Sequence, residues 1–264
     1  MSLLGWISQW IPRFCKTADG VCIVKTVRDF EGEPVRVMQT GGVYQSATYV
    51  GERRFEPVFT YYRSFDVAFE YCPQDARVLM IGGGGYAWPK HVLSSGRILA
   101  SLDVVEIDPA ITTIARKYFY LDEALDLNPG FVRLITDDGR MYIERYDGQP
   151  YGCVVLDAFS GSEPVRSLAT VEFALLVKKC LATDGAILAN VVSAEAGEDI
   201  SFLRDAAASF ATVFDYVYAV PCEEDSFAIE DNYLLVATDS QVVPEGAMAF
   251  DRETLGTPMF DADL

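Results

Sequence analysis

The sequence is poor in the residues on which most metal sites and histidine-dependent mechanisms rely. His91 is the only histidine among 264 residues, and none of the six cysteines forms a C-x-x-C pair. This composition argues against a His-supported metal site, a zinc site and a disulfide framework, so we predict no metal. Because histidine is so scarce, we expect any general base to be a carboxylate.

Positive charge is also scarce. Lysine and arginine together number 21 against 39 aspartates and glutamates, which gives a formal net charge of −18. Nucleic-acid binding depends on basic side chains that neutralise phosphates, so we predict no nucleic-acid partner. A negative protein attracts cationic substrates over long distances, although many proteins are acidic only because charge keeps them in solution.

No apolar run reaches the roughly 18 residues that a membrane-spanning helix requires, and we predict no membrane interaction. The residues after Met1 show neither a basic n-region nor a small-residue cleavage site, so we expect a cytoplasmic protein. Half of the residues are apolar, which is enough for one sizeable α/β domain with a small appended subdomain.

The first 55 residues are predicted to form an N-terminal helix and a small antiparallel β subdomain. Three short β-like runs, at residues 21–27, 35–39 and 43–46, are separated by acidic and glycine-rich turns. Ahead of them, apolar side chains recur at helical spacing and predict a docked helix. They are Leu3, Leu4, Ile7, Trp10, Ile11 and Phe14. A further aromatic-rich helix is predicted over residues 56–71.

From Arg77 onward, apolar runs of strand length alternate with helical stretches. The predicted strands are residues 78–81, 102–107, 132–135, 153–156 and 186–192, followed by residues 213–220 and 232–237 as an antiparallel pair. Runs that are apolar on both faces indicate a parallel sheet covered by helices on each side. We therefore predict an α/β Rossmann-like fold of the class I S-adenosylmethionine-dependent methyltransferase type, with a mostly parallel seven-stranded sheet over residues 56–242 and a tail over residues 243–264.

A glycine-rich turn follows the first of these strands directly. Gly82, Gly83, Gly84 and Gly85 leave the backbone free to approach a ligand, and the next helix can present its N-terminal N–H groups. Glu106 ends the next strand, at the position where an acidic residue binds both hydroxyls of an adenosine ribose. Together these features predict an adenosine-containing cofactor, although the glycines alone would also satisfy a dehydrogenase fingerprint.

Two aspartates end the next strands. Asp138, before Gly139, could accept a hydrogen bond from an adenine amino group or cap the following helix, and the two roles are compatible. Asp157 ends the fourth strand. Ligands of open parallel sheets bind beyond the carboxyl ends of the strands, so Asp157 is expected to face the cofactor. The long glycine-broken loop over residues 158–165 is typical of an active-site lid.

In this order the motifs make the chain from about residue 41 to 238 resemble the spermidine synthase family, in particular a bacterial spermidine-synthase-like branch. The matching stretches are Gly42-Val43-Tyr44-Gln45-Ser46, residues 81–85, Val105-Glu106-Ile107-Asp108, Asp138-Gly139, Asp157-Ala158-Phe159-Ser160 and residues 168–173 and 232–236. The resemblance implies an aminopropyltransferase that uses decarboxylated S-adenosylmethionine. It places Gln45 near the sulfur, Glu106 with Ile107 at the ribose, and Asp138 with Gly139 at the adenine.

The resemblance further implies that Asp157 receives or orients an attacking amine such as putrescine, in a homodimer or homotetramer. The family's glycine loop usually continues with an acidic residue that would repel the carboxylate of ordinary S-adenosylmethionine, and here that position is Gly85. An S-adenosylmethionine-dependent methyltransferase on the same fold therefore stays open, as does a catalytically silent protein that binds adenosyl ligands.

Overall fold

A four-stranded antiparallel sheet covers the start of the described chain. The computed structural model describes residues 10–97, 99–160, 163–192, 200–222, 232–250 and 254–264, without the side chains of residues 159, 160, 163 and 164. The strands follow one another as a meander: β1 (Arg13–Thr17), β2 (Gly20–Arg28), β3 (Pro34–Thr40) and β4 (Val43–Tyr49). The three predicted runs correspond to β2, β3 and β4.

The first strand was not predicted. Much of the helix expected over residues 3–14 lies outside the described residues, but Phe14 belongs to β1, where it pairs with Ile23 of β2. The helical prediction is therefore wrong at Phe14, whose side chain is 72% exposed. Spacing of a few apolar residues does not distinguish a helix from a strand that can pair with a following hairpin.

The aromatic-rich segment is helical only in its second part. It comprises α1 (Tyr61–Ser64), a 3-10 turn (Phe65–Val67) and α2 (Ala68–Tyr71). Residues 56–60, which were predicted as part of the same helix, precede it without helical structure, and Pro57 forms a β-bridge with Thr48 of β4. This bridge ties the segment to the N-terminal sheet.

The predicted Rossmann-like α/β fold is confirmed. Its strands are β5 (Arg77–Ile81), β6 (Ser101–Glu106), β7 (Val132–Thr136), β8 (Tyr151–Leu156), β11 (Leu181–Val192), β12 (Tyr216–Pro221), β13 (Asn232–Thr238) and β14 (Met248–Ala249). They lie in the order β14-β12-β13-β11-β8-β5-β6-β7, with β5, β6, β7, β8 and β11 parallel to their neighbours of this group. A separate two-stranded ladder joins β9 (Phe159–Ser160) and β10 (Glu163–Pro164).

Where seven strands were expected, the described part of the sheet has an eighth, β14. This two-residue strand comes from the segment predicted as a tail and pairs with β12 at the edge of the sheet. The antiparallel pairing of β12 with β13 was predicted and is confirmed. Edge strands this short carry little periodic signal, which is why the sequence pattern missed β14.

Helices cover both faces of the sheet. They are α3 (Ala87–Ser95), α4 (Pro109–Tyr118), α5 (Leu121–Leu125), α6 (Gly139–Glu144), α7 (Val171–Cys180) and α8 (Ser201–Ala211). Alternate residues of β5 point to opposite sides: Met80 packs in a core with the N-terminal sheet and α3 to α5, whereas Leu79 packs with α6, α7 and α8. Among the described residues, no helix is long and apolar enough to span a membrane.

A buried lysine joins the N-terminal sheet to the helices α3 and α4. Lys90 on α3 is 1% exposed, and its Nζ donates to Thr48 Oγ1 of β4 at 3.2 Å and to the carbonyl of Phe119 at 2.8 Å. Arg36 of β3 donates to the adjacent carbonyl of Tyr118 at 2.6 Å, so both cations cap the C-terminal end of α4. Burial, with a smaller contribution from the nearby charge of Arg36, lowers the pKa of Lys90 to about 7.

The pKa of Lys90 predicts how stability depends on pH. Between pH 7 and 10 the unfolded chain binds a proton at Lys90 that the folded protein releases, so Lys90 should contribute a rise of about 1 kcal/mol or more to the free energy of unfolding between pH 7 and 9.5. Buried cysteines with raised pKa values act in the opposite direction, so the contribution is measured as the difference in denaturant unfolding between the wild type and Lys90→Met at the two pH values. Lys90→Met should reduce the rise, whereas the same change at exposed Lys117 should not; equal pH profiles for the wild type and Lys90→Met would contradict the prediction.

Candidate active site

The glycine turn after β5 brings two strand ends into close contact. Gly82 has φ +96°, and a Cβ placed on it would lie 2.1 Å from the carbonyl oxygen of Asp157, the residue after β8. Its own N–H donates to the carbonyl of Val105 on β6 at 2.9 Å. Only glycine combines this backbone conformation with such an approach, so Gly82 sets the spacing of the site.

Glu106 holds the glycine turn in shape. Its Oε2 accepts hydrogen bonds from the N–H groups of Gly83 at 2.9 Å and Gly84 at 3.2 Å, and its Oε1 accepts one from Asp108 at 2.9 Å. The residue is only 7% exposed. Glu106 is therefore already bonded to backbone amides before any ribose hydroxyl reaches it, and its role toward a ribose stays a prediction.

Asp108 connects the site to the N-terminal sheet. One oxygen caps α4 by accepting from the N–H of Ala110 at 2.8 Å. The other accepts from the N–H of Ala18, at the turn between β1 and β2, at 2.6 Å. The neighbouring Ile107 is 65% exposed and contributes an apolar surface to the cavity described below.

Asp138 and Gly139 lie where β7 meets α6. Asp138 caps the helix by accepting from the N–H of Met141 at 2.8 Å, which confirms the capping role. A Cβ on Gly139 would lie 2.3 Å from Cγ2 of Ile81, so the start of α6 packs directly against the end of β5. The predicted contact of Asp138 with an adenine remains a prediction.

Asp157 is held by two neighbours from other elements. Asn190 of β11 donates from Nδ2 to Oδ1 at 3.0 Å, and Tyr61 of α1 donates from its hydroxyl to Oδ2 at 3.3 Å. Burial raises the pKa of Asp157 to about 6; these hydrogen bonds oppose the rise, and the charge of Glu106 adds to it. The carboxylate is therefore ionised at neutral pH and more basic than an ordinary aspartate.

Sequence reasoning did not identify Asn190 as part of the site. Asn190 is in strand β11, one residue beyond the Ala189–Leu156 pair that links β11 to β8. It lies inside the predicted strand 186–192, so the rule that placed Asp157 beyond the end of its strand did not point to it. Tyr61 stacks on Tyr62 with ring centroids 4.2 Å apart, at the same wall of the cavity.

The strand ends enclose a cavity of about 290 Å³. Most of the predicted ligand-binding residues line it, namely Gln45, Gly82, Gly84, Glu106, Ile107, Asp138, Gly139 and Asp157. Gly83 and Gly85 are not among the residues that line the cavity. The N–H of Gly83 donates to Glu106, and a Cβ on Gly85 would lie 2.3 Å from Ser46 Oγ, so these two glycines support the turn.

Charge in this cavity is strongly negative. The described residues that line it include the carboxylates of Asp19, Glu106, Asp108, Asp138 and Asp157, and only one cationic side chain, that of Arg140. A site with this excess of carboxylates attracts cations and repels anions. The strand order and the glycine turn define a Rossmann-like fold of the methyltransferase type.

The family follows from comparison with known proteins. The model of the spermine/spermidine synthase domain matches residues 65–224, more than half of the chain, and the chain belongs to this family. This confirms the resemblance inferred from the motifs. Two of the stretches that suggested it, residues 42–46 and 232–236, lie outside the matched range.

The similar proteins include enzymes with two kinds of chemistry. The chain is 35% identical over 137 residues to a polyamine aminopropyltransferase of Vibrio vulnificus, covering 51% of this chain and 44% of that protein. It is 27% identical over 122 residues to putrescine N-methyltransferase 2 of Nicotiana tabacum, covering 46% and 34%. In both alignments the chain spans about half the length of its relative or less.

A probable spermidine synthase from Corynebacterium glutamicum has a similar structure. The TM-score is 0.73 at 19% sequence identity, and the alignment covers 95% of this chain and 96% of that one. At this identity the likeness supports the fold alone. It extends over nearly the whole chain and therefore includes the N-terminal sheet.

The contact between Gly82 and Asp157 predicts a large effect of a single methyl group. Gly82→Ala should lower the free energy of unfolding by more than about 3 kcal/mol, because the new Cβ meets a backbone carbonyl that cannot move away. Gly96→Ala is the matched control: its φ is +69° but no atom lies within 4 Å, so only conformational strain of about 1 kcal/mol is expected. Denaturant unfolding of both variants tests this, and equal losses would contradict it.

Proposed function

We propose that this protein is an aminopropyltransferase of the spermidine synthase type. It transfers the aminopropyl group of decarboxylated S-adenosylmethionine to an amine such as putrescine, and Asp157 accepts the proton. The observation that carries the proposal is the carboxylate-lined cavity beside the glycine turn, with Asp157 at its base. Both proposed substrates are cations, one a sulfonium and the other an ammonium, and the charge of the cavity suits them.

The basicity of Asp157 fits this chemistry. An alkyl amine has a pKa of about 10.4 and is not a nucleophile until it loses a proton. The carboxylate of Asp157 can bind the ammonium group, take its proton and align the nitrogen. The nitrogen then forms a bond to the carbon next to the sulfonium, the carbon–sulfur bond breaks, and its electron pair stays on sulfur, which leaves neutral methylthioadenosine.

The other residues have proposed roles that follow their positions. Glu106 and Ile107 bind the ribose, and Asp138 with Gly139 binds the adenine. Gln45, from the N-terminal sheet, lies at the cavity where the sulfur end of the donor is expected. Gly82 and Gly84 allow the donor to approach the backbone, Gly83 and Gly85 support the turn, and Asn190 and Tyr61 hold the Asp157 carboxylate toward the acceptor.

Methyl transfer is the second candidate, and two observations favour it. The chain is similar to a putrescine N-methyltransferase, a name that pairs the same kind of amine with a methyl donor. In addition, Gly85 has no acidic side chain to repel the carboxylate of ordinary S-adenosylmethionine, and Ser46 fills the space next to it. Transfer of a methyl group would use the same cavity and the same base. A cytoplasmic location and a homodimeric or homotetrameric assembly remain predictions.

The two candidates differ in the donor that they bind. We expect calorimetric titration to show at least about tenfold tighter binding of decarboxylated S-adenosylmethionine than of S-adenosylmethionine, because the five carboxylates of the cavity repel a sixth. Preference for the carboxylated donor would instead assign a methyltransferase, and binding of neither would refute both. Glu106→Ala should weaken binding of either donor. This variant therefore tests the adenosyl site that both donors share, whereas the ratio of the two dissociation constants tests donor selectivity.

Asp157 should control the pH dependence of turnover. Since the carboxylate acts only when ionised, kcat/KM should rise with pH through about 6, the pKa of Asp157. Tyr61→Phe removes a hydrogen bond that lowers this pKa and should move the rise to higher pH.

Asp157→Asn should lower kcat by about 100-fold or more while retaining donor binding. The exposed Asp126→Asn is the control, and unchanged turnover of Asp157→Asn would refute the assignment.

A further inference from the structure

The C-terminal residues are docked along α8. The N–H of Thr257 donates to Oδ1 of Asp205 at 2.8 Å, and the N–H of Met259 donates to Oγ of Ser209 at 2.9 Å. Met259 is 5% exposed, and its carbonyl accepts from the N–H of Val171, at the start of α7, at 2.9 Å. The segment predicted as a tail is thus fixed to two helices, and this contact brings its last residues toward the cavity.

Asp261 lies at the end of this path and binds two side chains at once. Its Oδ2 accepts from Nη2 of Arg140 at 2.5 Å, and its Oδ1 accepts from Oγ1 of Thr170 at 2.8 Å. Its own N–H donates to Oε2 of Glu172 at 3.0 Å. The carboxylate is therefore held by two side chains and the backbone N–H by a third, which gives the carboxylate one defined orientation.

Arg140 connects Asp261 to the wall of the cavity. Besides binding Asp261, it donates from Nη1 to the carbonyl of Ser167 at 2.6 Å and to Oγ1 of Thr170 at 3.1 Å. Arg140 and Ser167 both line the cavity, and Arg140 follows Asp138 and Gly139 in the chain. The carboxylate of Asp261 thus links the start of α6 to the start of α7, and Arg140 links it to the 3-10 turn at Arg166–Leu168.

We infer that Asp261 is a positioning residue that fixes the wall of the ligand cavity next to Asp138. Without it, the guanidinium of Arg140 would lose its ionic partner beside a cavity that contains five carboxylates, and those charges would draw it inward. This inward shift would also break the hydrogen bond from Arg140 to the carbonyl of Ser167, which links the turn at Arg166–Leu168 to α6. The nature of the bound ligand, an adenosyl compound, is taken from the proposed function.

The first measurement concerns the wall itself and needs no ligand. Amide hydrogen exchange should become faster at Leu168, Ala169 and Val171 in Asp261→Ala than in the wild type, because these amides lie in the segment that Asp261 secures. Asp263→Asn is the matched control: this carboxylate is in the same turn but accepts from the N–H of Phe260 and makes no bond to Arg140. Exchange that is unchanged in Asp261→Ala would overturn the positioning role.

The second measurement concerns binding. Asp261→Ala should raise the dissociation constant of methylthioadenosine by about fivefold to tenfold, Asp261→Glu should restore part of the affinity, and Asp263→Asn should leave it unchanged. In an Arg140→Met background, the further change Asp261→Ala should have no additional effect on affinity, since the two residues act as one unit. A lower melting temperature with unchanged affinity would show a merely structural contact and overturn the inference.

The two measurements also separate this inference from the proposed function. If wild-type protein does not bind methylthioadenosine, the proposed adenosyl site is refuted, together with the effect of Asp261 on adenosyl binding. The exchange experiment still decides whether Asp261 positions the wall. If the wild type binds methylthioadenosine, and Asp261→Ala has the same amide exchange and the same affinity as the wild type, only the positioning role is refuted.

Discussion

The site depends on one close backbone approach, between Gly82 at the end of β5 and the carbonyl of Asp157 at the end of β8. These two strands are neighbours in the sheet, and any side chain at position 82 would force their ends apart. Because the ends stay close, the glycine turn lies next to the carboxylate that can accept a proton. Glu106 then fixes the turn from the other side through its bonds to Gly83 and Gly84. The residues proposed for donor binding and for proton transfer thus lie together at one edge of the sheet.

The environment of Asp157 balances two opposing effects. Burial favours the neutral acid and raises its pKa, whereas the donors of Asn190 and Tyr61 favour the carboxylate and limit the rise. A fully solvated aspartate would be a weaker base, and without these donors the pKa of the buried aspartate would be higher. The two donors also fix the direction of the carboxylate, because each binds a different oxygen. The site therefore holds a base that is both ionised and oriented.

Most of the sheet and the central part of the site could be predicted from the sequence, because they depend on local patterns. Apolar runs mark strands, glycines mark a close approach, and an acidic residue at a strand end faces the ligand. The contacts that were missed join residues far apart in the chain. Asp261 and Arg140 are 121 residues apart, and Tyr61 and Asp157 are 96 apart. At the N-terminus the pattern misled, since Phe14 pairs in a strand whose partner lies beyond the predicted helix.

The N-terminal sheet is part of the site and not only a cap beside it. Ala18 bonds to Asp108, Gln45 lines the cavity, and Ser46 occupies the space that a side chain at Gly85 would need. An acidic side chain at that position is therefore excluded sterically as well as absent from the sequence. Any preference for a donor without a carboxylate must come from the combined charge of the cavity, acting over a longer distance than one neighbouring residue would. Such a preference weakens as salt screens the charges, whereas a preference set by a single buried contact would be much less sensitive to the salt concentration.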